Sequence, residues 1–114
     1  MNRQEQLAQW QLEKRSAEAY EQNLVPLLFA PGAHFLVELA ALEAGERVLD
    51  VACGTGIVAR TAAVRVGAAG KVAGLDKNES MLEVARRTSQ EISPAIEWRQ
   101  GNADALPFAG AAFD

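Results

Sequence analysis

The stretch VLDVACGTGIVA, Val48 to Ala59, limits what this chain can fold into more than any other. Its first residues form an apolar, β-branched run that predicts a buried strand, and helical spacing begins at Ile57. Between them stand Gly54 and Gly56, with Ala59 completing a G-x-G-x-x-G/A pattern. Gly54 suits a sharp turn, Gly56 lets a ligand approach the backbone, and Ala59 lets helix pack closely on sheet. A strand, a glycine turn and a helix in that order belong to a βαβ unit. The competing account is a tight strand-to-helix connection that holds no ligand.

The flanking sequence continues the alternation. RVLDV is the first strand and IVARTAAVRVG a helix; KVAGLD is a second strand that also ends in an acid, followed by the helix ESMLEVARRTSQ. Ser93-Pro94 interrupts, AIEWRQ predicts a third strand, and GNADALPFAGAAFD is loop-like. The order β-α-β-α-β predicts an α/β fold, a parallel sheet with crossover helices.

Upstream, Leu7, Trp10, Ala17 and Tyr20 recur at near-helical spacing and predict an amphipathic helix over Gln4 to Gln22, resting on the domain. Pro26 and Pro31 are expected to break it. A second helix fits Ala33 to Leu42, with Leu36, Leu39 and Ala40 on one face and Gly45 placed to end it. The expected division is a helical segment, 1–45, and an α/β half-domain, 46–114.

Composition narrows the function classes. A formal net charge of −4 and scattered basic residues argue against a nucleic-acid partner. Cys53 is the only cysteine, so no internal disulfide can form, and a cytoplasmic location is the default expectation. The N-terminus lacks an apolar signal core, and LVPLLFAPGA, carrying two prolines, is too short to span a bilayer. Neither Cys53 nor His34, the only histidine, has companions at metal-ligand spacing, so no metal site is expected.

The charge pattern at the turn selects among ligands. A dinucleotide would rest its pyrophosphate on the helix N-terminus. Asp50, at the carboxyl end of the first strand, repels that anion and attracts a cation. S-adenosylmethionine, with an ammonium, a sulfonium and a neutral nucleoside, meets the requirement. Asp76 closes the second strand about 20 residues beyond Gly56, where an acid can accept from ribose hydroxyls. An NAD site would show the same acid, and a helix-capping role is open to it as well. Asn102 carries an amide suited to reading adenine.

ERVLDVACGTG, GLDKNESML and GNADALPF…FD, in this order and spacing, resemble the first three motifs of class I S-adenosylmethionine-dependent methyltransferases. The similarity is greatest to the group that includes the ubiquinone and menaquinone C-methyltransferases, and it covers Glu46 to Asp114. It implies a Rossmann-like fold cut to N-terminal helices plus a β-α-β-α-β half of the parallel sheet. It further implies that Asp50, Ala52, Gly54 and Gly56 surround the methionine part, with Asp50 at its ammonium. Asp76 would bind the ribose, Lys77 and Met81 flank the nucleoside, and Asn102 and Ala103 contact adenine, with Asp104 adjacent. Tyr20 resembles an aromatic that closes over the cofactor, a position core packing explains equally well.

In the resembled fold the strand order is 3-2-1-4-5-7-6, so these residues supply one side of the sheet. The groups that orient a small-molecule methyl acceptor come from the other side. The first strand is expected to be an uncovered edge and a route to self-association. An NAD-type oxidoreductase domain and a non-catalytic interaction module on the same scaffold are the alternative functions.

Overall fold

Three parallel strands, β1 (Arg47–Val51), β2 (Lys71–Asp76) and β3 (Ile96–Gln100), are hydrogen-bonded in the order β1-β2-β3 in the computed structural model, which describes residues 1–114. Register runs from Arg47 opposite Lys71 to Val51 opposite Leu75, and from Val72 opposite Ile96 to Asp76 opposite Gln100. The helices α3 (Ile57–Val66) and α4 (Glu79–Thr88) make the crossovers. The arrangement is the expected Rossmann-like half-sheet. β2 lies between two partners, and Val72, Ala73 and Leu75 are correspondingly buried.

The core is built from small residues. Ala59, Ala63 and Val66 of α3 bury against Val72, with Val48, Ile96 and Trp98 packed around them. A helix lined with alanine approaches a sheet closely, which is the role anticipated for Ala59. Trp98 fills the remaining space. A Cβ at Gly56 or at Gly74 would fall inside its indole. Its Nε1–H donates to Ser89 Oγ at 3.0 Å, while the Ser89 hydroxyl donates to the Ala85 carbonyl at 2.7 Å.

The N-terminal region departs from expectation. Helix α1 (Arg3–Ala19) starts at a capping box, in which Asn2 Oδ1 accepts from the Glu5 N–H and Glu5 Oε2 accepts from the Asn2 N–H. It runs without a break through a π-helical segment (Tyr20–Phe29) into α2 (Ala30–Ala40). Pro26 therefore does not end the helix. Proline offers no N–H, and its ring crowds the carbonyl four residues back in an α-helix. The wider π turn, bonding Ala30 N–H to Val25 O, relieves that crowding. Pro31 sits in the first turn of α2, where the missing donor costs little.

Two further expectations are corrected here. Helix α2 ends at Ala41 in a left-handed conformation (φ 51°), whereas Gly45 (φ 87°) serves the turn into β1 and donates its N–H to Val66 O. The buried stripe is Ala17, Val25, Ala33 and Val37, leaving Leu7, Trp10, Leu36 and Leu39 exposed. These small residues face α3 and α4, the helices on which the segment packs closely. With the helix continuous, residues 3–40 are long and apolar enough to cross a membrane by length and composition alone, although that buried stripe seats them on the domain.

Strand β1 has a partner on one side. At its N-terminal end the opposite side meets Asp114, whose N–H donates to Arg47 O at 2.8 Å and whose carboxylate accepts from the Arg47 N–H and guanidinium.

Candidate functional site

The carboxyl ends of β1, β2 and β3 open into two cavities of about 270 Å³ each, which share Ala52. Open parallel sheets bind ligands at this edge, where the loops leave the strands. The turn between β1 and α3 forms the wall between the cavities. Its backbone is left-handed at Ala52 (φ 58°), Gly54 (φ 57°) and Gly56 (φ 92°). An alanine in that region is uncommon and pays a steric cost, a feature no sequence pattern announces.

The first cavity gathers Ala52, Asp76, Lys77, Asn102 and Ala103, with Val51, Leu75 and Gly101 completing its lining. Asp76 has two backbone partners here. Its Oδ2 accepts from the Gly54 N–H at 2.9 Å and its Oδ1 from the Asn78 N–H at 2.8 Å. The cap of α4 is Asn78, whose Oδ1 accepts from the Ser80 and Met81 N–H groups. Asn102 is exposed on its loop, its Oδ1 3.4 Å from the Asp104 N–H it accepts from. Met81 lines neither cavity.

The second cavity is mostly apolar. Tyr20, Leu28, Phe29 and Leu36 form its helical wall, while Asp50, Ala52, Cys53 and the start of α3 form its floor. Tyr20 stacks on Phe29 at 5.2 Å between ring centroids, and its ring stands 3.8 Å from where a Gly54 Cβ would be. Gly56 faces away from both cavities, toward Trp98, so packing accounts for its missing side chain.

Asp50 is the electrostatic anomaly. Its Oδ2 is buried without a hydrogen-bond partner. Burial raises its pKa to about 6; the Ala59 backbone opposes that shift and the Asp76 charge reinforces it. Burial, with the Asp50 and Asp76 charges, likewise pushes the Cys53 thiol up to about 12, so it stays protonated and is a poor nucleophile. A buried carboxylate oxygen lacking a donor suits a ligand cation.

Leu28 and Phe29 escaped sequence reading because prolines at 26 and 31 hid the continuity of their helix, and Leu36, expected on a helix face, was not expected in the cavity wall. Glu21 and Arg60 escaped as well. They form an ion pair from the π segment to α3, and only the fold brings them together.

Residues 48–114 match the family model described as a methyltransferase domain. The chain is 46% identical over 77 residues to a 2-phytyl-1,4-naphtoquinone methyltransferase of Thermosynechococcus vestitus, covering 68% of this chain and 34% of that protein. It is 41% identical over 103 residues to a demethylmenaquinone methyltransferase of Tropheryma whipplei, covering 88% and 41%. A candidate S-adenosyl-L-methionine-dependent methyltransferase of Methanococcus maripaludis shares its fold, with a TM-score of 0.76 at 20% identity over 89% of this chain and 47% of that one. The chain thus spans about a third to two-fifths of the length of these curated relatives.

Proposed function

Because the chain belongs to the methyltransferase-domain family, we propose that it forms the S-adenosylmethionine-binding half-site of a methyltransferase acting on a small-molecule acceptor. Residues 46–114 carry the half-site and residues 1–45 cover it. The observation that carries the proposal is the buried, unpartnered Oδ2 of Asp50. An ammonium group is the natural donor to it, and the apolar cavity beside it suits the methylene chain that leads to the sulfonium.

Asp50 would hold the ammonium end between Ala52 and the Gly54 turn, with Tyr20 above. Asp76, Lys77, Asn102 and Ala103 would form the nucleoside end, with Met81 outside the cavity they line. Each Asp76 oxygen keeps a free lone pair beside its backbone bond, enough to accept from a ribose diol. When bound, the cofactor supplies an electrophilic methyl group on sulfur. The chain's own contribution is to fix the ligand's two ends and exclude water from the span between them. The names of the curated relatives support a quinone-type ring as the acceptor.

The NAD alternative is disfavoured by the turn itself. The Gly54 N–H, which a pyrophosphate would need, already donates to Asp76, and two carboxylates flank the position. Calorimetry with S-adenosylmethionine, S-adenosylhomocysteine and NAD tests the choice. The first two should bind and NAD should not; the reverse order overturns the proposal. The 2′-deoxy and 3′-deoxy analogues should bind weakly, and full affinity for them would remove Asp76 from the ribose site.

A further inference from the structure

Five of the six ion pairs in the molecule lie in the open, their side chains between 34% and 69% exposed. The sixth is different. Glu21 Oε1 accepts from Arg60 Nη2 at 2.5 Å, with side chains only 13% and 14% exposed. The same guanidinium donates through Nη1 to the Thr55 carbonyl at 2.6 Å and to Thr88 Oγ1 at 2.8 Å. One planar fork thus ties the π-helical segment to the glycine turn and to the end of α4. A lysine, with a point charge on a flexible stem, could not hold all three.

Burying two charges is expensive, and an apolar pair of similar volume often gives equal or better stability. What such a pair provides here is position. Glu21 is the neighbour of Tyr20, whose ring lies over Gly54, and Thr55 is the residue between the two turn glycines. We infer that Glu21 and Arg60 form a latch that seats Tyr20 over the glycine turn, and that both are positioning residues for the methionine end of the cofactor. Only the last clause rests on the proposed function; the latch concerns the chain alone.

Tyr20 is the sole tyrosine, so its ionisation can be followed by ultraviolet absorbance. Burial, then the charges of Glu21 and Asp76, hold its phenol above the ordinary range; Asp50 lines the same cavity and Arg60 is the cation paired with Glu21. In Arg60→Met the latch predicts a freed segment. The Tyr20 midpoint should fall toward the ordinary value of about 10, and amides 20–29 should exchange roughly tenfold faster while those of β2 are unchanged. If the segment stays seated, losing a nearby cation leaves the midpoint raised or lifts it further, and that result overturns the latch. Should Arg60→Met unfold, Arg60→Lys gives the same two readouts with the charge retained.

The positioning role is read by ligand. S-adenosylmethionine should lose roughly tenfold in affinity in the variant while adenosine changes by less than about twofold. Equal losses for both would overturn it. A parent chain that binds no S-adenosylmethionine would remove the functional proposal, and the ligand-free readouts would still decide the latch.

Discussion

Asp50 is held where its charge is costly, and that cost makes it testable. Its folded pKa, about 6, lies above the value near 3.8 expected in the unfolded chain. A carboxyl raised on folding binds more protons in the native state between those values. Its favourable contribution is therefore complete at low pH and is lost as pH rises through about 6. Asp50→Asn should accordingly stabilise the fold at pH 7.5, on the order of 1–3 kcal/mol, with the gain vanishing near pH 4. Thermal unfolding at the two pH values checks this. The same substitution should weaken S-adenosylmethionine by about one to two decades and adenosine little, because the charge-assisted bond lies at the ammonium end. In the parent, affinity for S-adenosylmethionine should rise between pH 5 and 7 as Asp50 ionises, a trend calorimetry should find missing in the variant. A Cys53 alkylation assay near neutral pH should find the thiol unreactive, as its raised pKa requires.

Among the elements, β2 and β3 are held together on one face by Trp98. Gly74 adopts an ordinary φ, so a methyl group there tests packing without backbone strain. Gly74→Ala should cost about 1–3 kcal/mol by overpacking against the indole, and Trp98→Leu should recover part of the loss in the double variant. Urea unfolding of the single and double variants measures both. Additive losses would mean that Trp98 does not set the limit. The strands and α3 and α4 were legible because their periodicity changes sharply at Gly54, Asp76 and Ser93. The continuity of α1 into α2 was not legible. Local rules give proline a single meaning inside a helix, and only the packed segment shows the π turn that accommodates Pro26.

At the scale of the whole molecule, a strand edge and an apolar patch stand open. β1 has a free edge beyond its contact with Asp114, and Leu27, Leu28, Phe35, Leu36 and Leu39 project from the helical cover. An open edge beside an apolar patch is a template for association. We expect this chain to self-associate as concentration rises, by light scattering, and expect Leu36→Lys with Leu39→Lys to reduce the effect. A monomer at every concentration would show that the helical cover and the Asp114 contact protect the edge by themselves.

By itself the sequence determined the parallel half-sheet, its glycine turn and the acids at the ends of β1 and β2. Those features follow from side-chain period and from backbone freedom at single residues, both of which are local. The tertiary structure decided which groups meet. Gly56 spares room for Trp98, 42 positions away in a strand with no local tie to it, so its proximity to the site follows from the turn while its missing side chain follows from packing. Asp76 reaches back to the Gly54 amide, and Arg60 joins Glu21 to Thr55, because crossover helices bring distant segments to one edge of the sheet. Burial, which left Asp50 Oδ2 without a partner and raised the carboxyl's pKa, is a property of everything packed around it and is written in no single residue.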